Sequence, residues 1–412
     1  MVILHLENRL KQYFTRFQVP YQSKVVVAVS GGGDSVALAL LLTKLLPKEN
    51  ITIVTIDHGL RLESALEASL VAAWSAKLDL RHHILLWRDH QLAGNLMENA
   101  RNARYNMLGN FCRENKISHL FLGHTLDDQI ETFFINLERG SGIDGLSAID
   151  EFNVKDGINI CRPLLGAGRE ELREFLRSAN QEWIDDPSNE NEDYLRVRIR
   201  KLFKDDQKFF ERISLAISNV KRTRNFIRSF VDKTYEQLVS SSMAGIKTFS
   251  IEYFSELDEE IRIRLINKIL EKISGDPRKK RLDSILRIDN LIITKEMKNH
   301  SLSGVGIAAK GKQIYFYPLM EGIDTIDLQA HKTFNFGKYQ VQTGEIKDGY
   351  RLALPNKEQY VAFKKNKKAF PTNLPYNMIL NMPVVLKLEK IVSIPHINDS
   401  GSDNLEICII AK

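Results

Sequence analysis

The amino-acid sequence predicts an α/β fold: a doubly wound parallel sheet, followed by a mainly helical domain and a small β-rich C-terminal domain. Two observations lead to the first part of this prediction. Three largely apolar runs, at residues 24–29, 51–57 and 119–122, lack the alternation of a half-exposed strand. Helical patterns separate these runs, and strands that alternate with helices form a parallel sheet through right-handed crossovers.

The remaining elements follow in chain order. An amphipathic helix over residues 1–23 precedes the first strand, and a further strand is expected at residues 81–86. The glycine-rich residues 139–145 are expected to form a loop, and residues 158–165 another strand. Helices are expected where apolar residues recur every three or four positions, at residues 35–46, 62–78, 97–115, 126–138 and 169–179.

Domain boundaries are placed near residues 210 and 330. A chain of 412 residues has room for two or three domains. The first domain, residues 1–210, holds the alternating strands and helices. A mainly helical domain is expected over residues 211–330. Long helices are expected from Asp205 to about Lys298, and a hairpin around Lys310 and Gly311 follows them. Residues 331–412 form the small β-rich domain.

The composition is that of an ordinary globular protein, with 43% hydrophobic and 27% charged residues. No apolar run approaches the roughly 20 residues that span a bilayer, and the N-terminal segment is amphipathic rather than a signal peptide. We therefore expect a cytoplasmic protein with no membrane partner. The three cysteines, Cys112, Cys161 and Cys408, are far apart and form no pair at metal-ligand spacing.

Basic residues are concentrated in the last domain. Residues 331–412 contain 12 Lys and Arg against 7 Asp and Glu, whereas the other residues contain 46 against 45. A basic tail on a nearly neutral body is typical of proteins that bind a polyanion such as RNA, although a solvated lysine surface gives the same counts. Lys364 and Lys365, next to Phe363, are the candidate contacts.

A glycine-rich turn joins the first strand to the next helix, and it consists of Ser30, Gly31, Gly32, Gly33, Asp34 and Ser35. Glycines let the backbone pass close to a ligand in conformations that a Cβ would forbid. Unpaired N–H groups of the turn, with the positive end of the helix dipole, suit phosphate oxygens. Ligands of such sheets bind beyond the carboxyl ends of the strands, so residues 57–61 and 123–128 are expected to line the same cleft.

Two common phosphate-binding motifs do not fit this turn. A Walker motif needs a lysine after its last glycine, where this chain has Asp34, and a dinucleotide fingerprint needs a third glycine where Ala37 and Leu38 follow. The string SGGGDS instead resembles the PP-loop of the ATP-pyrophosphatase superfamily. The resemblance implies an adenine nucleotide alpha-hydrolase-like fold, with ATP as the cofactor, cleaved between its α- and β-phosphates.

Further segments resemble, in the same order, the signatures of bacterial tRNA(Ile)-lysidine synthetases: DHGLR, ARNARY, GHTLDDQIET, LERGSGIDGL, CRPLL and DDPSNENEDYLRVRIR. The resemblance is strong over residues 24–204 and weak beyond them. It implies that ATP adenylates the C2 carbonyl oxygen of the wobble cytidine of an isoleucine tRNA with a CAU anticodon. The amine of free L-lysine then displaces AMP, which leaves lysidine.

Two aspartates are the candidate metal ligands. Mg²⁺ is implied by the reaction, and as a hard cation it binds one or two carboxylates together with phosphate oxygens. Asp34 in the turn and Asp128 at the end of a strand are placed to supply them. Thr125 and Asp128 also have the spacing of a helix capping box, and Asp127 would be favourable at the same helix N-terminus.

Other polar residues follow the strands or occupy the matching motifs. The candidates for contact with the nucleotide, the cytidine or developing charge are Asp57, His58, His124, Arg104 and Arg139. The candidate tRNA contacts are Arg196 and Arg200, four residues apart on a basic helix, with Lys364 and Lys365 in the tail. Val197 stands where the family usually has Asn, which removes one hydrogen-bonding side chain next to Arg196.

Three other functions stay open. A PP-loop tRNA thiolase would need a thiolate or cluster ligands, which the isolated cysteines do not supply. A PP-loop amidating synthetase would not explain a helical domain followed by a basic tail. A non-catalytic RNA-binding module would not need a nucleotide cleft. The sequence does not decide between a monomer and a homodimer.

Overall fold

The chain folds as two units, residues 1–225 and residues 226–412, each with its own set of helices and sheets. The computed structural model describes residues 2–57, 59, 63–87, 96–185, 198–199, 207–242, 245–276, 278, 280–320, 322–346, 348–366, 374–395 and 406–411. The division into three domains at residues 210 and 330 stays a prediction.

The first unit is built on a six-stranded sheet in the order β3-β2-β1-β4-β6-β5. The strands β1 to β4 and β6 are parallel, and β5 at the edge is antiparallel. This confirms the predicted doubly wound parallel sheet. The strand bounds are β1 Val25–Ala28, β2 Ile51–Asp57, β3 Arg81–Leu86, β4 His119–Leu122, β5 Phe152–Lys155 and β6 Ile158–Cys161.

Helices cover both faces of this sheet, which explains why β1 is apolar throughout. Val25 and Val27 pack in one core cluster with Leu38, and Val26 packs in another with Leu108. Successive side chains of a strand point to opposite faces, so a strand with two covered faces needs no polar positions. The helices of this unit are α1 Val2–Arg16, α2 Gly33–Thr43, α3 Glu63–Lys77, α4 Leu96–Glu114, α5 Leu126–Glu138, α6 Ile143–Leu146 and α7 Arg169–Ser178.

Three predicted boundaries in this unit were wrong. The first helix ends at Arg16 rather than near residue 23, before Pro20. The strand β6 ends at Cys161, because Pro163 has no N–H to donate to a neighbouring strand. The glycine-rich segment is not entirely a loop, since α6 begins within it at Ile143.

The second unit mixes helices with antiparallel sheets. The helix α8 (Gln207–Leu238) contains the boundary between the units and is followed by a five-stranded antiparallel sheet in the order β7-β8-β11-β10-β9. The predicted helical middle region and the hairpin at Lys310 and Gly311 are confirmed. Two short strands, Ser240–Ser241 and Lys247–Ser250, lie within the stretch predicted as long helices. The elements are β7 Ser240–Ser241, β8 Lys247–Ser250, α9 Ile251–Ser255, α10 Glu259–Ser274, α11 Leu282–Ile293, β9 Asn299–Leu302, β10 Val305–Lys310 and β11 Gln313–Pro318.

The end of the chain is β-rich, as predicted, and forms a four-stranded and a three-stranded sheet. Lys364 and Lys365 do not lie on a strand: they are exposed near the end of the helix α12. Among the described helices, none is both long and apolar enough to cross a membrane. The elements are β12 Ile326–Asp327, β13 Thr333–Phe336, β14 Tyr339–Thr343, β15 Tyr350–Ala353, α12 Lys357–Asn366, α13 Tyr376–Ile379, β16 Val384–Lys387, β17 Lys390–Ser393 and β18 Ile407–Ala411.

Candidate active site at the glycine-rich turn

The glycine-rich turn lies where the strand order of the sheet reverses. The chain winds from β1 through β2 to β3 on one side, and β4 then pairs with β1 on its other side. Such a reversal leaves a crevice beyond the carboxyl ends of the two central strands, where open α/β sheets bind their ligands. The turn after β1 and residues 123–128 after β4 border this crevice.

A later segment of the chain fixes the backbone of the turn. Gly31 has a φ of +92°, which is accessible to glycine but strained for other residues. The N–H of Ile184 donates a hydrogen bond to the Gly31 carbonyl (2.9 Å), and Gly32 forms an isolated parallel bridge with Ile184. A Cβ on Gly31 would lie 2.6 Å from Cδ1 of Ile184. The side chain and backbone of Ile184 therefore pack directly against one side of the turn.

The side chain of Ser35 hydrogen-bonds to two backbone groups of the turn. Its hydroxyl accepts a hydrogen bond from the Ser30 N–H (3.2 Å) and donates one to the Gly32 carbonyl (2.9 Å). Ser35 is itself buried at the start of α2. A serine at this position therefore stabilises the conformation of the turn.

The turn and the end of β4 are in direct contact at Gly123. A Cβ on Gly123 would lie 2.9 Å from the carbonyl oxygen of Asp34 and 2.9 Å from Cα of Ser35. Both are backbone atoms, which cannot move aside as a flexible side chain can. Only glycine allows these two strand ends to approach this closely.

Arg169, the first residue of α7, bridges the two predicted metal ligands. Its Nε donates a hydrogen bond to Oδ2 of Asp34 (3.0 Å), and its Nη2 donates one to Oδ1 of Asp128 (3.4 Å). Its Nη1 is 3.8 Å from Oε1 of Glu131, whose side chain is only 5% exposed. The structure thus brings Asp34 and Asp128 together around one guanidinium group.

Both aspartates of the GHTLDDQIET segment also stabilise helix ends. The Thr125 N–H donates a hydrogen bond to Oδ2 of Asp128 (2.8 Å), so the predicted capping interaction at the start of α5 is present. Asp127 Oδ2 accepts the backbone N–H of Arg169 (2.8 Å) at the start of α7. A capping role and a role in the cleft are compatible for Asp128, because its two oxygens have different partners.

Burial dominates the electrostatics of Asp34. Burial raises the pKa of this carboxyl group, the charge of Arg169 lowers it, and the neighbouring Asp128 and Asp127 raise it again. The net effect is a raised pKa, because one guanidinium does not balance the burial and the neighbouring carboxylates. The protonated form of Asp34 is therefore favoured more than in an exposed aspartate.

His124 is partly buried beside this cluster and is neutral at neutral pH. Burial lowers its pKa to about 4, with Asp128 acting in the opposite direction and Arg162, Arg104 and Arg101 adding to the lowering. Its Nδ1 is buried without a hydrogen-bond partner among the described residues. A neutral imidazole with an unused ring nitrogen is suited to a hydrogen bond with a substrate rather than to an ion pair.

An arginine cluster surrounds Tyr105 on α4. Arg162 is buried and donates hydrogen bonds to the Asp150 carbonyl (2.9 Å) and to the hydroxyl of Tyr105 (3.4 Å). The guanidinium carbons of Arg101 and Arg104 lie 5.9 and 5.6 Å from the Tyr105 ring centre. Burial acts to raise the pKa of Tyr105, but the charge and hydrogen bond of Arg162 and the charges of Arg104 and Arg101 outweigh it and lower that pKa. The predicted site residue Arg104 therefore belongs to a positively charged region near His124.

Asp57 and Arg139 are also described. Oδ1 of Asp57 accepts hydrogen bonds from the Gly59 N–H (2.9 Å) and the Ser64 hydroxyl (2.5 Å), which shapes the turn between β2 and α3. Arg139 is exposed at the end of α5. His58, Arg196 and Arg200 lie outside the described residues.

The sequence prediction missed Arg169, although one signal was available. Arg169 follows Gly168 at the start of a helix, where the positive end of the helix dipole disfavours a cation. An arginine in that place suggests that it has an anionic partner elsewhere. Its partners lie on α2 and α5, far away in the chain, and no local pattern identifies them.

The chain is similar in sequence to known proteins. A family model described as the PP-loop domain matches residues 3–206. A tRNA(Ile)-lysidine synthase of Wolbachia pipientis is 31% identical over 407 residues, which cover 95% of this chain and 93% of that protein. A tRNA(Ile)-lysidine synthase of Ruegeria pomeroyi is 33% identical over 354 residues, which cover 85% of this chain and 83% of that protein.

Among solved structures, the U34-tRNA thiolase NcsA of Methanococcus maripaludis is 17% identical with a TM-score of 0.47. The match covers 54% of this chain and 79% of that one. Because the curated relatives match the PP-loop domain and most of the chain beyond it, the chain belongs to the tRNA(Ile)-lysidine synthase family.

Proposed function

We propose that this protein converts the wobble cytidine of the CAU-anticodon isoleucine tRNA to lysidine, using ATP and free L-lysine. The observation that carries the proposal is the alignment of a curated tRNA(Ile)-lysidine synthase with 95% of the chain. The cleft at the reversal of strand order, with its glycine turn and carboxylates, supplies a place for ATP.

In the first step, the C2 carbonyl oxygen of the cytidine attacks the α-phosphorus of ATP. The bond between the α-phosphorus and the bridging oxygen to the β-phosphorus breaks, and pyrophosphate leaves. The N–H groups of the turn other than those of Ser30 and Ser35, which are bonded within it, would hold the departing phosphates, because they are donors placed in advance where charge develops.

Mg²⁺ would offset the negative charge of the phosphates during this step. Within the described residues, no group of three or more His, Cys, Asp and Glu side chains is arranged to hold a metal ion. The hard carboxylate oxygens of Asp34 and Asp128 nevertheless fit Mg²⁺, which takes only one or two carboxylates when phosphates and water complete its shell. Asp34 and Asp128 are therefore the proposed ligands.

In the second step, the amine of lysine attacks C2 of the activated cytidine. A C–N bond forms, the bond from C2 to the adenylated oxygen breaks, AMP leaves, and the nitrogen loses a proton. His124 is proposed to hydrogen-bond the cytidine or a phosphate through Nδ1, and Arg104 and Arg139 are proposed to hold negatively charged groups of the substrates.

The tRNA is proposed to bind through basic side chains. Arg196 and Arg200 follow the catalytic sheet in the chain, and Lys364 and Lys365 are exposed near the end of α12. Contacts of this kind hold phosphates without reading sequence, so they would position the tRNA rather than select it.

The states of the cysteines argue against a thiolase. Burial raises the pKa of Cys112 to about 11 and that of Cys161 to about 12, so neither is a thiolate at neutral pH. Cys408 is exposed on β18, and no second cysteine is near it in the sequence. A sulfur transfer would need a reactive thiolate or a cluster ligand.

The test is the incorporation of radiolabelled lysine. The protein, ATP, Mg²⁺ and a transcribed isoleucine tRNA with a CAU anticodon should give labelled tRNA with release of AMP and pyrophosphate, and omission of ATP should abolish the label. Thiolation of the tRNA, or adenylation without any lysine incorporation, would contradict the proposal.

Asp34→Ala separates chemistry from tRNA binding in the same assay. Loss of this carboxylate should lower adenylation about a hundredfold or more, while retention of the tRNA on a filter stays unchanged. Unchanged turnover in this variant would remove Asp34 from the mechanism.

A further inference from the structure

The guanidinium group of Arg169 hydrogen-bonds to the carboxylate oxygens that a metal ion would bind. Its Nε is 3.0 Å from Oδ2 of Asp34 and its Nη2 is 3.4 Å from Oδ1 of Asp128. The Arg169 side chain is 18% exposed and the two aspartate side chains are 21% and 24% exposed. A divalent ion on the same carboxylates would bring a double charge close to the guanidinium in a site with little solvent to screen it.

Four acidic side chains contact Arg169. Asp34, Asp128 and Glu131 lie within 4 Å of the guanidinium, and Asp127 accepts the backbone N–H of Arg169. Arg169 therefore compensates charge on Asp34 and Asp128, the two carboxylates that a metal ion would have to share with it.

We propose that Arg169 is a positioning residue that acts as an internal counter-cation, competing with free divalent metal for Asp34 and Asp128. The inference rests on the proposed function for the identity of the metal. Metal binding to the free protein is then weak, because the ion must approach or displace a cation already hydrogen-bonded to its ligands. The negative phosphates of ATP reverse this balance, so that metal and nucleotide enter the cleft together. Such coupling keeps metal off the carboxylates until there is a phosphate chain for it to neutralise.

The experiment measures Mn²⁺ binding by electron paramagnetic resonance on the full chain, without tRNA or lysine. In the wild type, free Mn²⁺ should bind about tenfold or more weakly than Mn²⁺ in the presence of a non-hydrolysable ATP analogue. In Arg169→Gln, the affinity for free Mn²⁺ should rise about tenfold, because the competing charge is gone while an amide donor remains. Arg169→Lys retains the charge and should stay near the wild-type affinity.

Arg173→Gln is the matched control. Arg173 lies one turn further along α7 and pairs with Asp185 (2.8 Å) on the surface, so its loss should leave Mn²⁺ binding unchanged. Equal or weaker Mn²⁺ binding in a folded Arg169→Gln variant would overturn the inference. So would a wild type that binds free Mn²⁺ as tightly as it does with the analogue, whether or not the variants fold. Failure of lysine incorporation alongside the expected Mn²⁺ pattern would count against the proposed reaction alone.

Discussion

At His124, burial produces a pH dependence of stability. The pKa of this histidine is lowered to about 4 in the folded protein, against about 6.5 in an unfolded chain. The unfolded state therefore takes up a proton first, and stability falls as the pH drops from 6.5 toward 4. From this group alone we expect a loss of about 2 kcal/mol between pH 7.5 and pH 5.

Urea unfolding of the wild type and of His124→Gln in metal-free buffer checks this expectation. The free energy of unfolding of the wild type should fall more steeply with acidity than that of the variant, which has no group to titrate at this place. Parallel pH profiles for the two proteins would show that His124 is not the source of the dependence.

Gly123→Ala should damage the cleft through a single methyl group. Its Cβ would meet the backbone of Asp34 and Ser35 at 2.9 Å, so the turn or β4 must shift. We expect a loss of stability of about 1 to 3 kcal/mol in thermal or urea unfolding, together with weaker ATP binding in calorimetry. Gly109→Ala is the control, since the new Cβ would make an ordinary 3.5 Å contact with the Arg113 side chain in a helix interior. That change should be neutral or stabilising by about 0.5 to 1 kcal/mol.

Among the elements, α8 carries a buried arginine, Arg224, that binds the segment just after α6 within the first unit. Arg224 donates hydrogen bonds from Nη1 to the Ser147 hydroxyl (2.6 Å) and from Nη2 to Oδ1 of Asp150 (2.6 Å). Close by, Lys221 donates one to the Ile149 carbonyl (2.6 Å). The segment just after α6 is thereby tied to a helix that runs on into the rest of the chain.

Arg224→Met should therefore destabilise the protein by about 2 to 3 kcal/mol, because it removes the partners of a hydroxyl and of a partly buried carboxylate. Urea unfolding followed by circular dichroism measures the change. Arg222→Met on the exposed side of the same helix loses only a bond to Asn219 and should cost much less. Similar losses in both variants would mean that helix propensity, and not the buried contact, is responsible.

For the whole molecule, the role of the basic tail is better tested by charge than by truncation. The apolar cluster of Ile246, Ala308 and Tyr317 also contains Met378 and Met382. A chain that ended near residue 330 would lose part of this core, and any loss of tRNA binding would then be ambiguous.

The double variant Lys364→Gln/Lys365→Gln leaves this core intact. If both side chains contact phosphates, tRNA binding should weaken several-fold, and the slope of log affinity against log salt should become about 1 to 2 units less negative. Filter binding at several salt concentrations measures both quantities. Glu358→Gln on the same helix removes a negative charge and should not weaken binding; an unchanged salt slope in the lysine variant would exclude these lysines from the tRNA interface.

The parts of this molecule that could be predicted are those encoded locally. The apolar strands and the turn of residues 30–35 define the parallel sheet and the location of the cleft without any knowledge of distant contacts. Arg169 and Ile184 were not predicted as parts of the site, because their effect depends on partners brought close only by the finished fold. The short strand β8 was missed for a related reason, since four residues carry little periodicity and its pairing with β11 decides its structure.

The bond from Ile184 to Gly31 implies an order of events during synthesis. The glycine turn leaves the ribosome early, but its last backbone partner lies at the far end of the PP-loop domain. Contacts between residues this distant in sequence form late, because a long loop must close before they can exist. A nascent chain that has made only the first strands has the phosphate-binding sequence but not its finished shape, so tight nucleotide binding should begin only after residue 184 has emerged.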